Sequence, residues 1–520
     1  MKINGILPCL TVCYLSQCLG ANILCVLTVP AKSHHILFQP LFEELAIRGH
    51  NVTVLTDSNR LQKQIENYTE VLVTKTIFDK KEIKSSISYL FVPGSSMSAK
   101  NTLTRSLIYT VGQQTCRDTL SDKNVQRILH SEQNFDLVIA EIALVQECFL
   151  GLGYRFNAPV ISLATFPGRK VIDEYIGSPD TSAYYPYWST SYTDQMNFFQ
   201  RGWNFFTSIQ HMFIHYFHHL PVIEEITKEY IPNSTYMPSI IDMLANLSLI
   251  LVNSHIGVTY SRPYNPNTVE VGGMHIPIDR KPLQKDLQEF LDDAKEGFVY
   301  FSLGSNIPTH LMPENVIEIF VKVFSEINQK VVWKIDKDTL NNLSANVKIV
   351  KWISQHDVLV HENCKVFITH GGMLSIEEAI HFGVPLLGFP FFGDQPMNLA
   401  FVEQKSIGLK MEFEDITYKT FKRSLKELLN NPMYFKNMKL QSAIFNDQPI
   451  TPMEKAVYWI EYVLRHQGAP HLKTAALELS WFQYYSIDIF IFLLLIVLLV
   501  MWLLLKIIAI FCRLRSKKHN

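Results

Sequence analysis

A histidine and two glycines at the end of an apolar run have the residue types of an anion-binding turn. The run at residues 366–368 leads into His370, Gly371 and Gly372, and a helical pattern that contains Ser375 follows. Backbone N–H groups and the positive end of a helix meet at such a turn, and glycines leave room for an anion to approach. The order strand, turn, helix, strand therefore predicts a phosphate site.

Carboxylate and amide side chains lie one step beyond that turn. Glu378 is on the helix that follows the glycines, and Asp394 and Gln395 come after the next apolar run. Such groups hydrogen-bond hydroxyls, and they lie where a ribose or a sugar attached to the phosphates would be. The stretch as a whole predicts a nucleotide-sugar pocket.

The order of these residues resembles a known signature. Trp352 and Gln355 precede the turn, so a Trp-x-x-Gln pair, His-Gly-Gly, a helical Glu and Asp-Gln follow one another over more than forty residues. This is similar to the signature of the UDP-glycosyltransferases. The resemblance implies that Trp352 offers its flat face to uracil and that Gln355 hydrogen-bonds the base or the ribose.

The same resemblance assigns the rest of a UDP-sugar site. Glu378 is expected to accept both ribose hydroxyls, and Asp394 and Gln395 to hold hydroxyls of the sugar. The residues expected to hold the diphosphate are small or polar and lie in two facing turns, at Ser302, Ser305, His370, Gly372 and Ser375.

The first half of the chain offers a general base, His34. It follows the first predicted strand and begins a helix, whose positive end disfavours an imidazolium, so the ring is expected to be neutral. In the family the catalytic histidine follows a serine in this turn, which Ser33 and His34 match. His35 is the neighbouring alternative.

A base of this kind is usually oriented by a carboxylate. Relatives carry an aspartate just after the strand at residues 136–140, and this chain has Glu141 there. The longer side chain can still reach His34, so we expect a His34–Glu141 pair.

We expect the reaction to need no metal and no cofactor besides the UDP-sugar co-substrate. No Asp-x-Asp motif lies near the two turns. His211, His215 and His218 have the spacing of metal ligands, but no Cys or Glu completes a set beside them, and a structural role is favoured.

The residues after the glycines bear on the donor sugar. Glucuronosyltransferase relatives commonly continue with Ser-Asn-Gly, whereas this chain has Met373, Leu374 and Ser375. This resembles the invertebrate branch that uses UDP-glucose. The expected activity is inverting transfer of glucose to hydroxyls of small lipophilic acceptors, in detoxification or endogenous conjugation. The alternatives are a glucuronosyltransferase using UDP-glucuronic acid, and a binding protein for UDP-sugars and lipophiles with little turnover.

The elements that position these residues predict an α/β protein with two doubly wound Rossmann-like domains facing a cleft, which is the glycosyltransferase-B arrangement of the family. The predicted divisions are an acceptor-binding domain at 21–273, a linker at 274–285 and a UDP-sugar-binding domain at 286–466. Helical patterns at 418–430 and 452–465 close the second domain, and the family sends the last helix back across the first.

Both ends of the chain predict a membrane protein. Residues 1–20 have the pattern of a secretory signal peptide, 467–486 a juxtamembrane segment, 487–512 an apolar span, and 513–520 a basic tail. Basic residues after the span predict a single-pass type I protein with lumenal domains. Lys517 and Lys518 resemble an endoplasmic reticulum retrieval signal.

The composition of the chain excludes few classes of function. A net charge of −1 with 18% charged residues gives no electrostatic reason for nucleic acid binding. The aromatic segment at residues 184–236 is expected to form amphipathic helices that line an acceptor pocket or lie on the membrane, with core packing as the alternative. Oligomerisation as a homo-oligomer is left open.

The cysteines and sequons are few. Four cysteines remain in the lumenal part, Cys25, Cys116, Cys148 and Cys364, and buried free thiols are expected for them. Asn-x-Ser/Thr sequons begin at Asn51, Asn67, Asn233, Asn246 and Asn342, of which Asn51 leads into a strand.

Overall fold

The computed structural model describes residues 20–29, 31–58, 64–74, 97–167, 170–277, 282–305, 307, 309, 312–337, 340 and 342–518. Almost all of the predicted signal peptide therefore lies outside the described residues, as do residues 278–281 of the predicted linker and the last two residues of the chain.

The first half of the chain forms a seven-stranded parallel sheet in the order β3-β2-β1-β4-β5-β6-β7. The strands are β1 (Asn22–Leu27), β2 (Asn51–Thr56), β3 (Tyr68–Leu72), β4 (Leu137–Ala140), β5 (Val160–Ala164), β6 (Leu249–Val252) and β7 (Thr268–Glu270). Its central strands β4, β5 and β6 are buried along their whole length, as expected for a parallel sheet covered on both faces.

The second half forms a six-stranded parallel sheet in the order β10-β9-β8-β11-β12-β13. The strands are β8 (Phe298–Ser302), β9 (Lys330–Lys334), β10 (Val347–Val350), β11 (Cys364–Thr369), β12 (Leu386–Gly388) and β13 (Gly408–Lys410). In each sheet the strand order reverses beside the first strand, which is where ligands bind in doubly wound folds.

Helices cover both sheets. Those of the first half are α1 (Lys32–Ile47), α2 (Met97–Leu120), α3 (Lys123–Leu129), α4 (Leu150–Phe156), α5 (Lys170–Tyr175), α6 (Phe198–Ile214), α7 (Leu220–Tyr230) and α8 (Ile240–Ala245), with a π-helical turn, His215–His219, between α6 and α7. Those of the second half are α9 (Lys285–Asp292), α10 (Glu314–Phe324), α11 (Gln355–Leu359), α12 (Met373–Phe382), α13 (Gln395–Gln404), α14 (Tyr418–Asn430), α15 (Pro432–Asn446) and α16 (Pro452–Arg465).

The last of these helices crosses back to the first sheet. Thr451 and Glu454 form a capping box at the start of α16. Val457 and Ile460 are buried in the same apolar cluster as Phe38 of α1 and the inner residues of β1. The expectation from the family resemblance is met, and α16 ties the two halves together.

One expectation for the cysteines is wrong. Cys116 of α2 and Cys148 are joined by a disulfide bond across a sequence separation of 32 residues. The sequence spacing did not indicate the pair, because α2 and the loop after β4 meet only when the sheet is assembled. Cys25 and Cys364 are buried free thiols, as expected.

The chain ends in two further helices, α17 (Trp481–Tyr484) and α18 (Ile487–Lys518). Within Ile487–Arg515 an 18-residue stretch has a mean hydropathy of 3.1, and none of it is buried against the protein. This helix is long and apolar enough to cross a bilayer.

Candidate active site

His34 and Glu141 form a closely hydrogen-bonded pair. His34 lies in the first turn of α1, and Glu141 follows β4, the neighbour of β1 in the sheet. Nδ1 of His34 is 2.7 Å from Oε1 and 2.8 Å from Oε2 of Glu141. Because a carboxylate only accepts, Nδ1 carries the proton and Nε2 is left with its lone pair. The ring is therefore arranged to take a proton at Nε2.

Thr165, just after β5, completes this arrangement. Its hydroxyl donates to Oε1 of Glu141 and is 3.1 Å from Nδ1 of His34. The Glu141 side chain is 1% exposed and that of His34 is 12% exposed. The carboxylate is thus held by two neighbours away from solvent, while one edge of the imidazole remains accessible. His35, the alternative base, is buried and 3.0 Å from Asp57.

The two facing turns of the second domain meet at His370. A Cβ atom at Gly304 would lie 2.6 Å from the His370 ring, and one at Gly372 would lie 2.5 Å from it. Gly304 also has a φ of +74°, so both the lack of space for a Cβ atom and the backbone conformation require glycine there. Burial, reinforced by the Lys334 ammonium, lowers the pKa of His370 to about 4, and the ring is neutral at physiological pH.

Helix α12 begins at this turn with its first N–H groups uncapped. Gly372 is the N-cap residue and no side chain of the described residues accepts from the first turn. Such a helix start attracts anions. Ser375 in the first turn accepts from Nε2 of Gln355 at 3.1 Å, so Gln355 and the turn lie together as predicted. Trp352 is 66% exposed and has a face open for stacking.

A lysine that the sequence did not single out lies at the same turns. Nζ of Lys334, the last residue of β9, donates to the carbonyl of Gly304 at 2.9 Å. Burial lowers its pKa, opposed by Asp336. Lys334 adds a positive charge beside the phosphate-binding turn. The two predicted serines differ, because Ser302 is buried and accepts from the N–H of Gly304, whereas Ser305 is exposed.

Glu378 points into a buried polar cluster and is not on a solvated helix face. Its Oε1 is 3.3 Å from Nε2 of His275, and its Oε2 has no hydrogen-bond partner among the described residues. Glu377 beside it accepts from Asn253 at 3.3 Å and is fully buried. Asn253 follows β6 of the first sheet and His275 lies in the predicted linker, so this cluster joins the two domains.

Asp394 and Gln395 lie at the start of α13. Asn398 donates to Asp394 at 2.7 Å. Burial raises the pKa of Asp394, opposed by its hydrogen bond from Asn398. Gln395 differs, because its Oε1 accepts from the backbone N–H groups of Phe391 and Phe392, which leaves its NH₂ group for a sugar hydroxyl.

The histidines of α6 and the π-helical turn belong to a different cluster. Glu147 accepts from Nε2 of His219 at 2.9 Å and from the hydroxyl of Tyr175 at 2.6 Å, and His215 lies 3.6 Å away. The expectation that no acid completes this set is therefore wrong. The charges of His219 and His215 outweigh burial and hold the pKa of Glu147 at about 2. Direct hydrogen bonds join Glu147, His219, Tyr175 and Nε2 of His215, so the cluster is a buried polar network.

Sequence reasoning missed Thr165, Lys334, His275 and Glu377. Thr165 and Lys334 follow or end strands that neighbour the motif-bearing strands, and the carboxyl ends of parallel strands share one edge. That rule was the only available signal for them. His275 and Glu377 come into contact only where the two domains meet, and no local sequence pattern predicts this contact.

Solved structures share this architecture. The chain is similar to CalG4, the calicheamicin glycosyltransferase, with a TM-score of 0.58 and 16% identity over 86% of this chain and 99% of that one. Two parallel sheets in these strand orders, each covered by helices, define the glycosyltransferase-B fold.

The sequence comparisons identify the family. The UDP-glucoronosyl and UDP-glucosyl transferase family matches residues 24–520, and the chain belongs to this family. It is 36% identical to UDP-glycosyltransferase UGT4 of Dactylopius coccus, over 97% of each chain. It is 33% identical to UDP-glucosyltransferase 2 of the same organism, over 91% of this chain and 90% of that one. It is 31% identical to UDP-glucuronosyltransferase 2B9 of Macaca fascicularis, over 92% and 91%.

Proposed function

We propose that this UDP-glycosyltransferase transfers glucose from UDP-glucose, with inversion, to hydroxyl groups of small lipophilic acceptors. The observation that carries the proposal is the His34–Glu141 hydrogen bond of 2.7 Å, which leaves Nε2 of His34 to act as a base. The uncapped start of α12 beside His370 offers the diphosphate site. The direct contact also counts against a binding protein with little turnover, because Glu141 reaches the proposed base and can orient it.

The proposed reaction is a single displacement. Nε2 of His34 takes the proton of the acceptor hydroxyl while the oxygen attacks the anomeric carbon, and the bond from that carbon to the UDP oxygen breaks on the opposite face. Glu141 stabilises the imidazolium that forms. Negative charge that develops on the diphosphate is met by the start of α12, by N–H donation from neutral His370 and by Lys334. These groups can stabilise the leaving group without a metal ion, so we propose metal-independent transfer.

The donor pocket follows from the residues around this turn. Trp352 stacks on uracil, Gln355 hydrogen-bonds the base or ribose, and the unpartnered oxygen of Glu378 accepts a ribose hydroxyl. Asp394 and the NH₂ group of Gln395 hold the sugar. The similarity to a protein named a UDP-glucosyltransferase supports glucose as this sugar.

A second candidate donor is UDP-glucuronic acid, and one observation favours it. A uronate needs a cation nearby, and Lys334 provides one beside the Gly304 turn. The experiment offers purified full-length protein each UDP-sugar with a panel of phenols. Turnover with UDP-glucose at a kcat/KM well above that with UDP-glucuronic acid supports the proposal. The reverse order assigns the second donor, and turnover with neither refutes both.

We also propose that the protein is a single-pass type I protein of the endoplasmic reticulum with its domains in the lumen. Basic residues follow the apolar stretch within helix α18, and Lys517 and Lys518 resemble an endoplasmic reticulum retrieval signal. The Cys116–Cys148 disulfide is typical of an oxidising compartment. In sealed microsomes, added protease should remove only the C-terminal tail. Digestion of the two domains would overturn this topology.

A further inference from the structure

Helix α6 presents an apolar face to the outside of the protein. The residues at successive turns of this face are aromatic and between 54% and 83% exposed, namely Phe199, Trp203, Phe206, Phe213 and Phe217. Residues 198–217 include a single charged side chain, Arg201. A row of this size is unusual on a surface that faces water.

The opposite face of the same helix is polar and buried. Its buried residues share hydrogen-bonding side chains, at Asn204, Thr207, Ser208, His211, His215 and His219. Asn204 donates to the carbonyls of Ser182 and Tyr185, and His211 is 2.9 Å from the Tyr109 hydroxyl. A helix on a soluble domain has the reverse arrangement, with its apolar side inward.

The hydrogen bonds fix this orientation. Turning the aromatic side inward would leave the buried partners of Asn204 and His219 unsatisfied, among them Glu147 with its low pKa. The outward position of the aromatic residues is therefore built into the domain, and the helix needs an apolar environment outside the protein.

The proposed membrane anchor leaves the protein beside this helix. The hydroxyl of Tyr484 in α17 donates to the carbonyl of Ser178 at 3.3 Å, and Gly177 packs against Thr474. From Asp180 the contacts run to Lys170 at 3.0 Å, and the Lys170 ammonium lies 6.0 Å from the ring of Phe205 in α6. The segment that leads into α18 and the aromatic face of α6 thus lie on the same side of the first domain.

We propose that the outer face of α6 lies in the interface of the lipid bilayer, so that the first domain docks on the membrane beside its anchor. The inference rests on the proposed membrane-spanning role of α18. The occupant of the face is lipid, in which aromatic side chains favour the boundary between headgroups and acyl chains. Helix α6, about 25 Å long, would lie along the membrane surface.

The test uses full-length protein in nanodiscs that hold one copy each and contain a phospholipid with a diazirine on its acyl chain. After photolysis, lipid adducts are mapped by mass spectrometry. We expect adducts on the α6 peptide at a level near that of α18. Helix α15 is the internal control, because Phe435 and Leu440 are also exposed apolar residues but lie on the second domain. It should stay unlabelled.

A variant pair sharpens the test. Phe206→Glu with Phe213→Glu should lose the α6 adducts while α18 keeps its own, and Leu440→Glu should change neither. Retained UDP binding shows that the variants are folded. Labelling of α18 with α6 no higher than α15 overturns the inference and leaves the anchor standing. An unlabelled α18 overturns the anchor and the inference with it. Loss of α6 adducts in discs with two copies would assign the face to a second copy and also overturn the inference.

Discussion

The direction of proton transfer is set by which nitrogen of His34 is held. Both oxygens of Glu141 lie within 2.8 Å of Nδ1, and Thr165 holds the carboxylate in turn. Nε2 is therefore the atom that faces an acceptor. A carboxylate in this position acts through the histidine, and its loss should affect turnover rather than donor binding.

Glu141→Gln is expected to lower kcat by about 10²- to 10⁴-fold, because an amide cannot stabilise the imidazolium. The KM for the UDP-sugar should stay near its original value. Glu141→Asp should retain more activity than the Gln variant, since it keeps the negative charge beside His34. Steady-state kinetics of the parent and the two variants test this prediction. A Gln variant as active as the parent would show that Glu141 has no part in the mechanism.

At this scale the sequence predicted motif residues well and their neighbours poorly. Among the predicted residues, the structure pairs His34 with Glu141 and brings Gln355, Ser375 and His370 to the turn at the start of α12. Lys334 could not be found in the same way, because its role depends on β9 ending beside β8. The side-chain contacts of Gln395 depend on a loop backbone that no residue pattern specifies. The sugar-binding roles themselves stay predictions.

At the scale of elements, fully buried strands were more predictable than edge strands. The bounds of β5 and β6 agree with their apolar runs, since strands in the middle of a parallel sheet are continuously apolar. Tyr68–Leu72 and Thr268–Glu270 were missed because these edge strands are short or half-buried and mix polar with apolar residues. Capping and periodicity together predicted α14 and α16 correctly.

The disulfide between α2 and the loop after β4 should contribute to stability. It closes a loop with a sequence separation of 32 residues, for which chain entropy gives about 3–4 kcal/mol. The Cys116→Ala, Cys148→Ala double variant is expected to unfold at a lower temperature by several degrees. The reducing agent dithiothreitol should destabilise the parent protein but not this variant. Equal melting temperatures for variant and parent would contradict a structural role for the bond.

At the scale of the whole molecule, the cleft depends on polar contacts between the domains. Asn253 of the first domain and His275 of the linker meet Glu377 and Glu378 of α12. Gln441 of α15 donates to the carbonyl of Gly257 at 2.7 Å. Together with α16, which packs on the first sheet, these contacts set how the donor turn faces His34. Sequence reasoning predicted two domains facing a cleft but not these contacts, because each joins residues more than 90 positions apart.

Glu377 makes this interface sensitive to pH. Burial, opposed by His275 and Asn253, raises its pKa to about 7 from an ordinary value of 4.5. Between these values the folded protein holds a proton that the unfolded chain has lost, so stability falls as pH rises, by up to about 3 kcal/mol. Glu377→Gln should match the parent near pH 4.5 and exceed its melting temperature increasingly towards pH 8.

The control for this comparison is Glu318→Gln, which changes an exposed glutamate on α10. Its melting temperature should follow that of the parent at every pH. If the melting temperature of Glu377→Gln changed with pH in parallel with that of the parent, the buried carboxyl would not be the source of the pH dependence.

The central claim is that a UDP-sugar held by the second domain faces a neutral imidazole of the first. The most direct measurement compares His34→Ala with the parent in two assays, single-turnover transfer and calorimetric binding of UDP. The account predicts that transfer falls by at least about 10²-fold while the Kd for UDP is unchanged, because His34 touches the acceptor and not the nucleotide. Transfer at the parental rate would contradict the claim.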